Sequence, residues 1–129
     1  VQKRLLTEAN RLGIHLHLSA AFEVNDLPEL MADVDVMYAM YEPQRGNIMQ
    51  GALPVKMFDA ASFGVPTVVN SDCLMGEICN SEALGMPATW GNAESISAAL
   101  LSLRSTIVEP TDRGLDQRKA MIAAVESLL

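Results

Sequence analysis

The sequence predicts an α/β fold in which helices cover a parallel sheet. Half of the 129 residues are apolar but only 5% are aromatic, which indicates a core of alanine, valine, leucine and methionine. Short apolar segments alternate with segments of helical periodicity, the order typical of strand–helix–strand units. This order is clearest between Gly51 and Asn70. There Pro54 suits a helix start, Gly64 and Pro66 suit a helix end, and a run of β-branched residues follows.

The elements can be placed in order along the chain. Helical periodicity predicts helices over residues 1–12, 28–34, 54–63, 75–82, 93–104 and 115–129. About four strands are predicted, at residues 14–18, 34–40, 67–69 and 86–90. The first strand alternates apolar with polar residues, so we expect it to be half exposed at a sheet edge. Asp26 and Asn92 are expected to cap the helices that follow them.

Length and charge limit what the chain can be. A chain of 129 residues suits a single domain over residues 1–129. It begins at Val1 inside a helical pattern, which suggests a truncated piece of a larger protein. The net charge of −7 is spread along the chain and disfavours nucleic acid as a partner. No apolar run approaches the ~18 residues of a membrane span, so we expect a cytoplasmic location.

The cysteines and histidines give no sign of a metal site. Cys73 and Cys79 lack the C-x-x-C spacing of zinc and redox sites, and we expect both to be buried free thiols. His15 and His17 would share one face of a strand, but no third ligand is nearby. We therefore predict no protein-bound metal and no cofactor.

The segment from Tyr41 to Ala52 is the first candidate binding site. It has no periodicity, and at about a dozen residues it exceeds the usual 2–6 residues of a strand–helix connection. It also leaves the carboxyl end of a strand, where open parallel sheets bind their ligands. An anion pocket could be formed by Arg45, Gly46, Gly51 and the amides of the next helix start, together with Lys56. An ordinary exposed arginine is the alternative for Arg45.

Two charges interrupt the apolar helix that follows this loop. Lys56 and Asp59 are three residues apart, so they share one helix face. They could form a solvated pair worth about 0.2–0.5 kcal/mol. A lysine in the first turn, however, meets the positive end of the helix dipole, which is unfavourable unless an anion is near. Both interpretations remain open on the residues alone.

The sequence K-M-F-D-A-A-S-F-G-V-P-T-V-V at residues 56–69 resembles a known family signature. It is similar to the C-terminal domain of GT-B-fold, retaining glycosyltransferases of the group 1 type, which bind a nucleoside-diphosphate sugar. The similarity covers most of residues 14–104, including LPELMADVD before the loop and MGEIC after the strand. The resemblance implies a Rossmann-like sheet that forms part of a GT-B fold.

The resemblance also implies roles for individual residues. Asp59 stands where the family has a glutamate that binds the donor ribose, and Lys56 stands where a lysine faces the donor. Gly51 and Ala52 would present backbone amides to the diphosphate. Ala21 and Phe22 match a segment that lies near the nucleotide base.

Two departures limit what carries over from the family. Many members have a second glutamate eight residues before the first, and this position is Gly51 here, so the sugar cannot be inferred. Two strand–helix units and the acceptor-binding domain that precede this region in the family are also missing. The piece alone is therefore expected to be inactive, and no catalytic residue is assigned.

We therefore predict the C-terminal part of a glycosyltransferase that takes a sugar from a nucleoside diphosphate. The acceptor, a sugar or a glycolipid, would be held by the missing N-terminal domain, and the parent protein could be peripheral to the membrane. Two alternatives remain: a non-catalytic Rossmann-like assembly module and a GT-B-fold nucleotide-sugar epimerase. The strand at residues 34–40 is expected to lack its neighbour, which would allow self-association through an uncovered edge.

Overall fold

A computed structural model describes residues 1–109 and 113–129 of the chain. The chain divides into two compact units, Val1–Leu30 and Met31–Leu129, which are described separately. The prediction of a single domain over residues 1–129 therefore stays a prediction.

The unit Val1–Leu30 begins with helix α1, Gln2–Leu12, as predicted. Gly13 ends this helix in the left-handed conformation with φ 67°, and the Ile14 N–H donates to the Ala9 carbonyl. A single 3-10 turn, Val24–Asp26, precedes the short helix α2, Leu27–Met31. The Asp26 carboxylate accepts from the Glu23 N–H at 2.8 Å, so it bonds to the turn before α2. The prediction that Asp26 caps α2 is therefore wrong.

The predicted strand at residues 14–18 is wrong, because residues 14–23 have no regular secondary structure. The alternation of apolar and polar residues gave the correct period for a strand. A strand also needs a neighbour for its backbone hydrogen bonds, however, and periodicity says nothing about a neighbour. Within the described residues the sheet consequently has three strands, not about four.

The sheet lies in the unit Met31–Leu129 and is parallel. Its strands are β1 (Met37–Ala39), β2 (Thr67–Asn70) and β3 (Gly85–Ala88), and β2 lies in the centre. Thr67 is opposite Met37 on one side and opposite Gly85 on the other. All four residues of β2 are buried, as its β-branched sequence predicts. β1 is shorter than the predicted 34–40 and lies at an edge, where Tyr38 is 48% exposed.

Helices cover both faces of this sheet, as predicted. Helices α3 (Val55–Ser62) and α4 (Leu74–Ser81) connect the strands in order and pack on one face. That face holds the larger buried cluster, which includes Met57, Val69, Met75, Cys79 and Leu84. Helix α5 (Ala93–Leu103) packs on the other face, against a cluster that includes Met40, Val68, Ala88, Ala99 and Leu103. Helix α6 spans Arg113–Glu126.

Apart from Asp26, the helix ends follow the predicted capping residues with one difference. Asn92 caps α5, since its Oδ1 accepts from the Ser95 N–H at 3.0 Å. Gly64 follows α3 in the left-handed conformation, with φ 77°. Pro54, expected at the first helical position, is instead the extended N-cap residue of α3. The predicted helices are thus confirmed, with their ends shifted by up to three residues, the largest shifts being at the ends of α2 and α6.

Candidate functional site

A pocket of about 320 Å³ opens at the carboxyl end of β1. The loop between β1 and α3 forms most of its wall, and Met75 from the start of α4 completes it. The lining residues are Tyr41, Arg45, Asn47, Ile48, Ala52, Leu53, Pro54 and Met75. The pocket lies at the edge of a parallel sheet where ligands are expected to bind. The volume of the pocket is within the range of small-molecule sites. We call this cavity the loop pocket.

The loop that forms the pocket is a series of hydrogen-bonded turns. The Arg45 N–H donates to the Glu42 carbonyl at 3.0 Å, and the Ile48 N–H donates to the Arg45 carbonyl at 3.1 Å. The Gln50 and Ala52 amides both donate to the Asn47 carbonyl. Ile48 is buried against the sheet, so it fixes the middle of the loop. The loop is therefore built by specific contacts although it contains no helix or strand.

Arg45, from the predicted anion pocket, and Ala52, whose role the family resemblance implied, both line the loop pocket. The Arg45 side chain is exposed, and within the described residues it has no ion pair. It is also the one charged residue in the pocket lining. As far as the described residues show, the wall has an unpaired cation and no carboxylate, and this charge balance favours an anionic ligand.

The predicted role of Ala52 needs a correction. Its amide was expected to face a diphosphate, but this N–H already donates to the Asn47 carbonyl at 3.1 Å. Because the Ala52 N–H is used in this turn, it is not available to donate to a ligand. Gly51 has φ 96°, a left-handed conformation that suits glycine, and it is not among the residues that line the pocket.

Lys56 and Asp59 lie on α3, outside the residues that line the loop pocket. Lys56 is exposed and is in the first turn of the helix, two residues after Pro54. Asp59 is half buried. In the part of the chain that the structure describes, the one ion pair joins Glu8 to Arg11. Lys56 and Asp59 therefore do not form the solvated pair that was one of the two interpretations.

Phe22 belongs to a different cavity, of about 330 Å³, in the unit Val1–Leu30. Residues of the segment from Ser19 to Leu30, including Ala21, Asp26 and Glu29, form this cavity. The Phe22 side chain is 57% exposed. The structure thus brings Arg45 and Ala52 together and places Phe22 in a cavity of its own.

Asn70 lies at the same edge of the sheet and is not among the site residues predicted from the sequence. It is 2% exposed, and its carboxamide makes two hydrogen bonds to the backbone of Tyr41. An asparagine that ends a buried β-branched strand is a recognisable signal, because a buried amide needs partners for both its donor and its acceptor.

The cysteines and histidines lie outside the lining of the loop pocket. Cys73 and Cys79 are buried and free, as predicted. Burial raises the pKa of the Cys79 thiol to about 11, so this thiol stays protonated and unreactive near neutral pH. His15 and His17 are exposed, and the described residues contain no cluster of three metal-ligating side chains. None of the described helices has the length and apolar character needed to cross a bilayer.

Comparisons with family models, with curated proteins and with solved structures found no match. The resemblance to retaining glycosyltransferases therefore rests on the motif residues themselves and stays a prediction.

Proposed function

We propose that the chain is the donor-binding part of a glycosyltransferase and that the loop pocket holds the diphosphate of a nucleoside-diphosphate sugar. The observation that carries this proposal is Arg45, which lies in a pocket at the carboxyl end of β1 and has no ion pair with any described residue. The chain has a net charge of −7, so a cation at this edge of the sheet is not a consequence of its average composition.

The residues around the pocket suit such a ligand. A guanidinium can bind two phosphate oxygens at once, which fits a diphosphate better than a point charge does. Lys56 is in the first turn of α3, where its charge opposes the helix dipole. A bound diphosphate would remove that repulsion and would also accept from the free amides at the helix start.

In the reaction, the bond between the sugar C1 and the diphosphate oxygen breaks, and a bond from C1 to an acceptor hydroxyl oxygen forms. The acceptor hydroxyl proton passes to solvent water, and the nucleoside diphosphate leaves with the electrons of the broken bond. Arg45 and Lys56 would stabilise the charge that grows on the leaving group. Asp59 would accept hydrogen bonds from the ribose hydroxyls. The proposal assigns only donor binding, and not acceptor binding, to this chain.

The proposal predicts that the chain binds a nucleoside diphosphate and that Arg45→Met weakens the binding. Loss of a charge-assisted contact worth about 1.5–3 kcal/mol corresponds to a roughly 10–150-fold weaker affinity. The affinity of the wild type should also fall as salt rises, and that dependence should be smaller in the variant. Calorimetric titration with UDP, GDP, ADP and CDP measures both effects.

A matched control is Arg104→Met, which removes an exposed arginine immediately after α5 and away from the pocket lining. Arg104→Met removes one positive charge, as Arg45→Met does. Comparison of the two variants therefore separates a contact between Arg45 and the ligand from an effect of net charge. We expect the affinity of this control to stay within about twofold of the wild type. Equal losses in Arg45→Met and Arg104→Met would leave no role for Arg45 in the site.

The assembly module is the second candidate, and one observation favours it. Among the described side chains of the C-terminal region, Met121, Ile122, Val125 and Leu128 are all exposed. The same titrations separate the two functions. A chain that binds none of the four nucleotides but self-associates in sedimentation would be an assembly module.

A further inference from the structure

The Asn70 carboxamide connects the end of β2 to the start of the pocket loop. Its Oδ1 accepts from the Tyr41 N–H at 2.8 Å, and its Nδ2 donates to the Tyr41 carbonyl at 2.6 Å. The two bonds satisfy both backbone polar groups of Tyr41. The side chain thus acts as one more peptide group between the two strands.

The backbone of β2 cannot supply these bonds itself. β1 ends at Ala39, and the ladder to β2 ends with the pair Ala39 and Val69. Beyond Asn70 the chain turns to the other neighbour, since the Ser71 N–H donates to the Ala88 carbonyl at 2.9 Å. Without the Asn70 side chain, Tyr41 would have no partner from the sheet.

Tyr41 is in turn connected to the cation of the loop pocket. Its side chain packs against the buried cluster and also lines the pocket. The next residue, Glu42, accepts the Arg45 N–H and so begins the turn that carries Arg45. Arg45 therefore lies between two fixed points, Tyr41 on one side and the buried Ile48 on the other.

We propose that Asn70 is a positioning residue for the loop pocket: its carboxamide holds Tyr41 and thereby sets the place of Arg45 in the pocket wall. Asn70 lies outside the pocket lining, so it acts through Tyr41 and not by contact with a ligand. The expected effect of Asn70 on nucleotide binding, the ligand part of this inference, rests on the proposed function. Its effect on the position of the loop, the loop part, does not.

Hydrogen exchange of the full chain without ligand tests the loop part. Asn70→Asp keeps the shape of the side chain but replaces the donor with an oxygen that faces the Tyr41 carbonyl. Exchange at the Arg45 and Ile48 amides should accelerate by roughly 5–150-fold, because the loop opens more often once the partly buried bonds that hold Tyr41 are weakened. Exchange at Val68 and Val69 should change much less, because the β2 ladder does not depend on this side chain.

Asn92→Asp is the matched control. Its Oδ1 accepts a hydrogen bond at the start of α5, a role that aspartate fills equally well. We expect no acceleration anywhere in the loop. Asn70→Ala serves as a second variant that removes both bonds without introducing a charge.

The wild type provides a readout even where both Asn70 variants fail to fold. Its Tyr41 amide should exchange as slowly as the amides of β2, although it lies outside any strand. Rapid exchange of this amide would overturn the inference. Equal acceleration of the loop and of β2 in a folded Asn70 variant would also overturn it, since Asn70 would then support the whole sheet.

The nucleoside diphosphate that the wild type binds most tightly gives the ligand readout. Asn70→Asp should weaken its binding by about 10-fold or more while Asn92→Asp leaves it unchanged. A wild type that binds no nucleotide would contradict the proposed function, and the exchange experiment would still decide the role of Asn70. A variant with a mobile loop and unchanged affinity would overturn the link to Arg45.

Discussion

Gly85→Ala is expected to destabilise the unit Met31–Leu129 by about 3 kcal/mol or more. Gly85 is opposite Thr67 in the β2–β3 ladder, and a Cβ atom at this position would overlap the Thr67 carbonyl oxygen. The atom in the way belongs to the backbone of the central strand, so it cannot move aside as a flexible side chain would. A loss of this size is a large part of the 5–15 kcal/mol that typically separates folded from unfolded states.

Urea unfolding followed by circular dichroism measures this effect, with the fluorescence of Trp90, the single tryptophan, as a second probe. Gly46→Ala is the control, because a Cβ at Gly46 meets no atom within 4 Å and its φ is not positive. We expect the control to be neutral or more stable by up to about 1 kcal/mol. If the free energy of unfolding of Gly85→Ala lies within about 0.5 kcal/mol of the wild-type value, β2 and β3 do not approach each other this closely at Gly85.

Gly76→Ala is expected to cost about 1–3 kcal/mol, although alanine is normally the better helix former. Gly76 lies in the first turn of α4, and a Cβ there would be 2.6 Å from the Asn70 carbonyl oxygen. The helix would have to move away from the end of β2. Such a movement would also shift Met75, the α4 residue in the wall of the loop pocket.

The same unfolding experiment measures the effect of Gly76→Ala. Asn80→Ala in the exposed part of α4 is the control, and it should hold or slightly raise the stability through its helix propensity. A Gly76→Ala protein that gains stability as the control does would contradict the close approach of α4 to β2.

The sequence predicted the α3–β2–α4 region well because its signals are local. Gly64 and Pro66 end a helix through their own backbone preferences, and the β-branched run after them needs no distant residue to be identified as a strand. The strand predicted at residues 14–18 failed for the opposite reason. Its alternation was real, but a strand depends on a neighbour that no local pattern specifies.

The candidate site was predicted in part for the same physical reason. Arg45 was identified because a long loop after a strand is a local feature, whereas Ala52 was identified through the family resemblance. Both residues line the pocket. Asn70 was not selected, because its partner Tyr41 is 29 residues away in the sequence. The use of the Ala52 amide inside the loop also depends on the three-dimensional path of the turn, which composition does not determine.

Whether the loop pocket takes a nucleoside diphosphate is tested most directly by amide NMR during titration of the chain with UDP, GDP, ADP or CDP. The proposed function predicts saturable shifts at Arg45 and at the amides that begin α3, Val55 and Lys56, with little change along α5. Saturable shifts confined to Phe22 and its cavity, with none at the loop pocket, or the absence of saturable shifts with all four nucleotides, would contradict it.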